Sequence, residues 1–142
     1  MPNPTQMTSM RVPTETLTAA KTLLPGDSGK TFLLALAGGF TVTLPPVADA
    51  KNGWSATFIV KVNPTTAYIV TETAASDTNV LTGGVVERET DTGSDGPYSA
   101  AFTQVNFVAN TAVLGDIIRV VCDGVRYYID GQVNADGGIT LT

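Results

Sequence analysis

From Glu15 onward, short apolar runs recur about every ten residues, and residues that favour turns fill the gaps between them. Few folds accept such a rhythm. The runs are too short for helices, and several alternate apolar with polar residues, which is the periodicity of a strand with one buried face. The pattern predicts an all-β chain: an antiparallel β-sandwich, jelly-roll-like, with strands near 16–24, 31–36, 40–44, 54–61, 67–73, 79–87, 98–108, 115–122 and 125–132 and a last one at 138–142. In WSATFIVKV, Trp54, Ala56, Phe58, Val60 and Val62 fall on one face and Ser55, Thr57 and Lys61 on the other, with Ile59 as the exception. In IIRVVCDGVRYYID, Ile118, Val120 and Cys122 oppose Ile117, Arg119 and Val121. Asp123-Gly124 predicts a hairpin with a type I′ turn. Val125, Tyr127 and Ile129 then alternate with Arg126, Tyr128 and Asp130. Both faces of this hairpin carry apolar residues, so it is central in the fold or meets another subunit. The one helical signal is VADAKN, 47–52, a single turn after Pro45-Pro46.

The stretch GDSGKT, residues 26–31, brings two enzyme signatures together, and neither survives inspection. A serine nucleophile needs a base, usually histidine, and the chain has none. A lysine partner, Lys21 or Lys30, would have to be uncharged, whereas Lys30 lies in a hydrophilic turn that keeps its ammonium charged. A phosphate-binding loop ending at Gly29-Lys30-Thr31 needs glycine at position 24, which is Leu24, and a helix after it; Gly38-Gly39 would break any helix there. Pro25, Gly26, Asp27, Ser28 and Gly29 are turn formers, and the stretch predicts a hairpin connection.

The 142 residues amount to one domain, 15–142, preceded by an extended N-terminal arm, 1–14. The arm carries Pro4, Met7, Met10, Arg11 and Pro13 and has no periodicity. Stretched, it would reach on the order of 45 Å, enough to lie on a neighbour. No stretch reads as an inter-domain linker, and no internal repeat has a fixed period. A chain this long builds a core without disulfides. The single Cys122 lies in an alternating apolar run and reads as a small core residue; one cysteine without histidine cannot fill a usual zinc site.

Charged residues make up 15% of the chain, against the ~25% common in globular domains. A smooth, weakly charged surface suits packing against other proteins. Net charge is −5 and the eight basic residues are scattered, which leaves no electrostatic basis for nucleic-acid binding. No apolar run approaches the ~20 residues that span a bilayer, and the N-terminus has no secretory pattern. The expectation is a protein used inside the cell that makes it, or built into a particle there.

Candidate sites reduce to loops. The acidic loop holds Glu87, Glu89, Asp91 and Asp95, and Asp91-x-x-x-Asp95-Gly96 loosely echoes a calcium loop, but the glutamate an EF-hand starting at Asp91 requires at position 102 is Phe102. Asp116, Asp123 and Asp130 fall at strand ends, as turn and cap residues do, and DGQVNADGG (130–138) reads as a turn. The aromatics are too few for a sugar platform. No nucleophile, base and orienter combine, so the sequence predicts no enzyme, no cofactor and no metal.

The order LTAAKTLL, SGKTFLLAL, GGFTVTLPP, WSATFIVKV, TAYIVTET and finally DIIRVVCDGVRYYIDGQV resembles small all-β proteins of tailed-phage structural regions, especially head decoration (cement) proteins. The resemblance covers the chain from about residue 16 and carries no catalytic residues. It implies a virion protein on the capsid surface, whose partners are the major capsid protein and further copies of itself, as dimer or trimer. The arm would clamp a capsid subunit, and Ile117, Arg119, Val121, Arg126 and Tyr128 would form the self-association face. The alternative it implies is a tail-fibre or tail-tip module that binds a host-surface receptor.

Overall fold

The computed structural model describes residues 11–89 and 96–142. Its twelve strands form two packed sheets. In chain order they are β1 (Thr14–Leu17), β2 (Lys21–Thr22), β3 (Lys30–Leu34), β4 (Thr41–Thr43), β5 (Asn52–Val60), β6 (Tyr68–Thr71), β7 (Leu81–Glu87), β8 (Tyr98–Phe102), β9 (Gln104–Phe107), β10 (Ile117–Asp123), β11 (Tyr127–Val133) and β12 (Ile139–Leu141). The larger sheet has the order β1-β3-β5-β10-β11-β7-β8 and the smaller β12-β9-β6-β4-β2. A helical turn, α1 (Val47–Ala50), follows Pro45-Pro46 as the sequence predicts.

The expected sandwich is present, and its pairing departs from the antiparallel, jelly-roll-like pattern. β1, β3 and β5 are parallel neighbours in the larger sheet, and β2, β4 and β6 are parallel neighbours in the smaller one. The first half of the chain therefore winds between the sheets. Each coil gives one strand to each sheet, and the next coil stacks beside it. The register explains why no repeat shows in the sequence. Thr14 aligns with Thr31 and Thr31 with Thr57 in one sheet, Lys21 with Val42 and Val42 with Val70 in the other, so successive coils differ in length. Alternation of side chains reveals a buried face but not the direction of the neighbouring strand. The second half is antiparallel except where β11 runs parallel to β7.

Two expected strands are each two. The run 16–24 divides into β1 and β2, and the run 98–108 divides at Thr103 into β8 and β9; in both cases the pieces lie in different sheets. GDSGKT is likewise no hairpin. It carries the chain from β2 in the smaller sheet to β3 in the larger, through a 3-10 turn at Pro25–Asp27.

The core lies between the sheets. β5 buries Trp54, Ala56, Phe58 and Val60, while Val62, past its end, is exposed. β10 buries Ile118, Val120 and Cys122, and β11 buries Tyr127, Ile129 and Val133. Phe32 stacks on Phe58 with ring centroids 5.4 Å apart, and Trp54 meets Tyr127 edge-on at 5.8 Å. The Tyr127 hydroxyl donates to the Pro45 carbonyl, so its polar tip is satisfied inside the core. Burial raises its ionisation well above the ordinary tyrosine value. Cys122 is a core residue, and burial pushes its thiol up as well.

The β10–β11 hairpin forms with a turn other than the expected type I′. Asp123 N donates to Arg126 O, which makes Gly124 and Val125 the central pair. Only Gly124 has positive φ, +92°, the signature of a type II′ turn. The Asp123 carboxylate accepts from the Val125 and Arg126 amides and selects this phase. Gly83 is another glycine the fold requires. At φ +125° in β7, a Cβ there would lie 2.1 Å from the Ile129 carbonyl oxygen of β11.

Candidate interaction surface

Alternation leaves every second residue of the larger sheet pointing outward, and the register arranges these residues in rows. One row runs Leu33, Ile59, Ile117, Gln132, Val86 across β3, β5, β10, β11 and β7. The next runs Thr31, Thr57, Arg119, Asp130, Gly84, Tyr98 and reaches β8. A third holds Ser55, Val121, Tyr128 and Thr82. Val86, Tyr98, Val121 and Tyr128 are exposed, and Leu33, Ile59 and Ile117 are half-buried. Within these rows the only charges are Arg119 and Asp130, 63% and 78% exposed and 3.7 Å apart. The rows themselves carry one ion pair, and Arg88, which donates to Gln132, and Asp123, which accepts from Tyr128, stand beside them.

Of the residues expected to self-associate, Ile117, Arg119, Val121 and Tyr128 share this face. Arg126, exposed two residues before Tyr128, stands on the same side at the edge of these rows, where its guanidinium donates to the Ala100 carbonyl of β8. Leu33, Ile59, Val86 and Tyr98 belong to the face and lie outside the expected set. One signal in the sequence points there: Ile59, an apolar residue on the polar side of an otherwise regular alternation. The Tyr128 hydroxyl donates to Asp123 Oδ2 at 2.9 Å, which fixes its ring against the sheet. That bond raises the tyrosine and, with the Arg126 and Val125 amides ahead of it, lowers the aspartate.

Of the arm, Arg11 and Pro13 are exposed immediately before β1; Pro4, Met7 and Met10 lie outside the described residues. Thr14, expected in the arm, already pairs with Thr31.

The acidic residues brace loops. Glu87 and Glu89 accept from the amides of Gly137 and Asp136, 3.0 Å each, so the two glycine-aspartate stretches hold one another. Asp91 and Asp95 lie outside the described residues. Glu72 accepts from Asn79 N and Val80 N, Asp77 from Val47 N, and Asp116 from Val113 N and Asn134. Among the described residues, every buried side-chain nitrogen or oxygen has a partner.

GDSGKT contributes to a charge cluster at the first coil. Lys30 Nζ lies 2.7 Å from Asp27 Oδ1 and 3.3 Å from Glu15 Oε2, and Lys21 Nζ lies 2.5 Å from Glu15 Oε1. Ser28 Oγ accepts from Ser55 N at 3.2 Å, which fastens the crossing to β5. Lys30 is paired rather than freely solvated, and its hydrogen bonds to Asp27 and Glu15 raise its ionisation, so it stays an ammonium. Glu15 is lowered by Lys21 and then by Lys30, against partial burial. Burial alone would raise Asp27, but Lys30, the Leu24 amide and Lys21 outweigh it and hold it low.

Lowered carboxylates contribute stability that is complete above their ordinary range and lost as pH falls through the folded values. Thermal unfolding will therefore occur at progressively lower temperature as the pH drops below about 4.5. In Asp27→Asn the loss over that range will be shallower. An unchanged slope in the variant would remove Asp27 from the account.

No family model, curated protein or solved structure matches the chain, and its fold and surface carry the functional reading by themselves.

Proposed function

We propose that this chain is a non-enzymatic structural protein of a virion, which decorates the outer surface of a capsid shell and stabilises the head. The observation that carries the reading is the outer face of the larger sheet, where exposed Val86, Tyr98, Val121 and Tyr128 stand in rows interrupted by one ion pair. Faces that expose several apolar side chains among few charges suit contact with other proteins. Ser28, Glu72 and Asp116 are committed to backbone amides and Asp27 to a lysine. A cementing protein needs a contact to the shell and a contact that links copies across it. The arm suits the first task and the sheet face the second. Many copies on a symmetric shell then multiply modest contacts.

The test is co-sedimentation of the full-length protein with empty phage capsids, beside a chain lacking residues 1–10. This truncation spares β1 and the bond from Thr31 N to the Pro13 carbonyl. Saturable binding that weakens without the arm is expected. Failure of both chains to bind would overturn the reading. It would favour a tail module, for which Tyr98, 76% exposed where the 88–97 segment returns into β8, would be the first receptor contact to examine.

A further inference from the structure

We infer that the outer face of the larger sheet is covered by a second copy of this chain, in a dimer whose two-fold axis runs along the strands between β10 and β11. The inference deepens the assembly reading and rests on it. Its basis is that the face is complementary to itself under this operation.

A two-fold axis in the plane between two stacked sheets, parallel to the strands, exchanges β10 with β11, β5 with β7 and β3 with β8. The rows of the face then meet row on row. Arg119 comes to lie over Asp130 of the partner subunit, because the two are cross-strand partners on either side of the axis. Val121 lies over Tyr128 of the partner subunit by the same relation. Ile59, aligned with Ile117, falls over Val86 of the partner subunit, aligned with Gln132. Thr57 meets the flat position of Gly84 of the partner subunit, and the large Tyr98 lies against the small Thr31 of the partner subunit. Charge meets opposite charge, aromatic meets aliphatic and large meets small; Ile117 meets the polar Gln132 of the partner subunit.

Two-fold pairing of identical patches is the commonest form of homo-oligomer. The six strands that meet across the axis, from β3 to β8, span about 24 Å at their usual spacing and about 20 Å in length. That is roughly 480 Å² of flat area per subunit, which side-chain relief raises toward the ~600 Å² at the lower bound of a stable interface. Aligned packing of two twisted sheets is a standard arrangement. The face would be sequestered, which leaves one N-terminal arm on each subunit for the shell.

The decisive experiment is complementation in trans between two charge reversals, Arg119→Asp and Asp130→Arg. In a dimer of the first variant, two aspartates meet at each of the two symmetric contacts. In a dimer of the second, two arginines meet there. Both positions are well exposed, so neither change disturbs the core. Wild-type protein at tens of micromolar is expected to sediment at twice its 14.7 kDa monomer mass. Each variant alone is expected to self-associate at least about tenfold more weakly, since like charges now face each other. An equimolar mixture of the two should regain the dimer. In the mixed dimer the introduced aspartate faces the introduced arginine at one contact, and the native pair forms at the other. The pair within each monomer stays mismatched, so a merely intramolecular role for the ion pair predicts no recovery. A monomeric or trimeric wild type, variants that remain dimeric, or a mixture that stays monomeric would each overturn the inference. None of these results depends on capsids, so failure to decorate a shell and failure to dimerise are read separately.

Discussion

Replacing Phe58 by alanine will remove about 3–5 kcal/mol of folding stability, the upper end of what a core truncation costs. Phe58 is fully buried and stacks on Phe32 at an interplanar angle of 20°. Its strand, β5, is the seam of the molecule, parallel to β3 on one side and antiparallel to β10 on the other. Phe58 aligns with Phe32 across the first boundary and with Ile118 across the second, so no single flanking strand can move in to fill the space. Urea unfolding at neutral pH measures the loss. Phe58→Leu, which keeps most of the volume, should cost far less, and Ile59→Ala, on the half-exposed opposite face, less than Phe58→Ala. A loss below about 1 kcal/mol for Phe58→Ala would mean that the two halves close over the gap and that the core is not packed as described.

Asp116→Ala will destabilise by roughly 1–3 kcal/mol although it removes no apolar contact, because it takes away the buried acceptor of three part-buried hydrogen bonds. The side chain is fully buried. Oδ2 accepts from Val113 N at 2.8 Å, and Oδ1 accepts from Asn134 N at 2.9 Å and from Asn134 Nδ2 at 2.7 Å. One carboxylate thus ties the loop entering β10 to the turn leaving β11. Hydrogen exchange separates this cause from general loosening: the amides of Val113 and Asn134 should lose protection ahead of those in the middle of β5. Uniform loss of protection would assign the effect to the whole fold instead.

What is legible in the sequence follows from what alternation encodes. The inner faces of β5, β10 and β11 can be read residue by residue, because burial on one side is written directly into every second side chain. Direction and sheet membership are not written there. β1 and β2 read as one strand since only Thr18, Ala19 and Ala20 separate them, and the corner that sends them to different sheets is set by pairing with β3 and β4. The hairpin at Gly124 is legible in its place but not in its turn type, because the Asp123 side chain takes up the Val125 and Arg126 amides and sets the turn by a bond that alternation does not encode. The face is half legible. Ile117, Val121 and Tyr128 show themselves as apolar residues on the wrong side of a strand. Leu33 and Val86 sit in nearly continuous apolar runs, TFLLAL and VLTGGVVE, where inward and outward residues look alike.

The winding of the first half has a consequence for synthesis. Neighbouring coils pair as soon as each new strand is complete, so residues 14–71 can assemble in the order in which the ribosome delivers them. β5 then presents an open edge, and its proper neighbour β10 begins only at Ile117, after β6, β7, β8 and β9 have been made. During that interval the nascent chain carries one unpaired edge on a strand rich in β-formers, NGWSATFIV, which is the point at which overproduced protein will be lost to aggregation. Slower translation or a lower temperature lengthens the exposure of this edge without protecting it. An added extended peptide that imitates β10 would protect it.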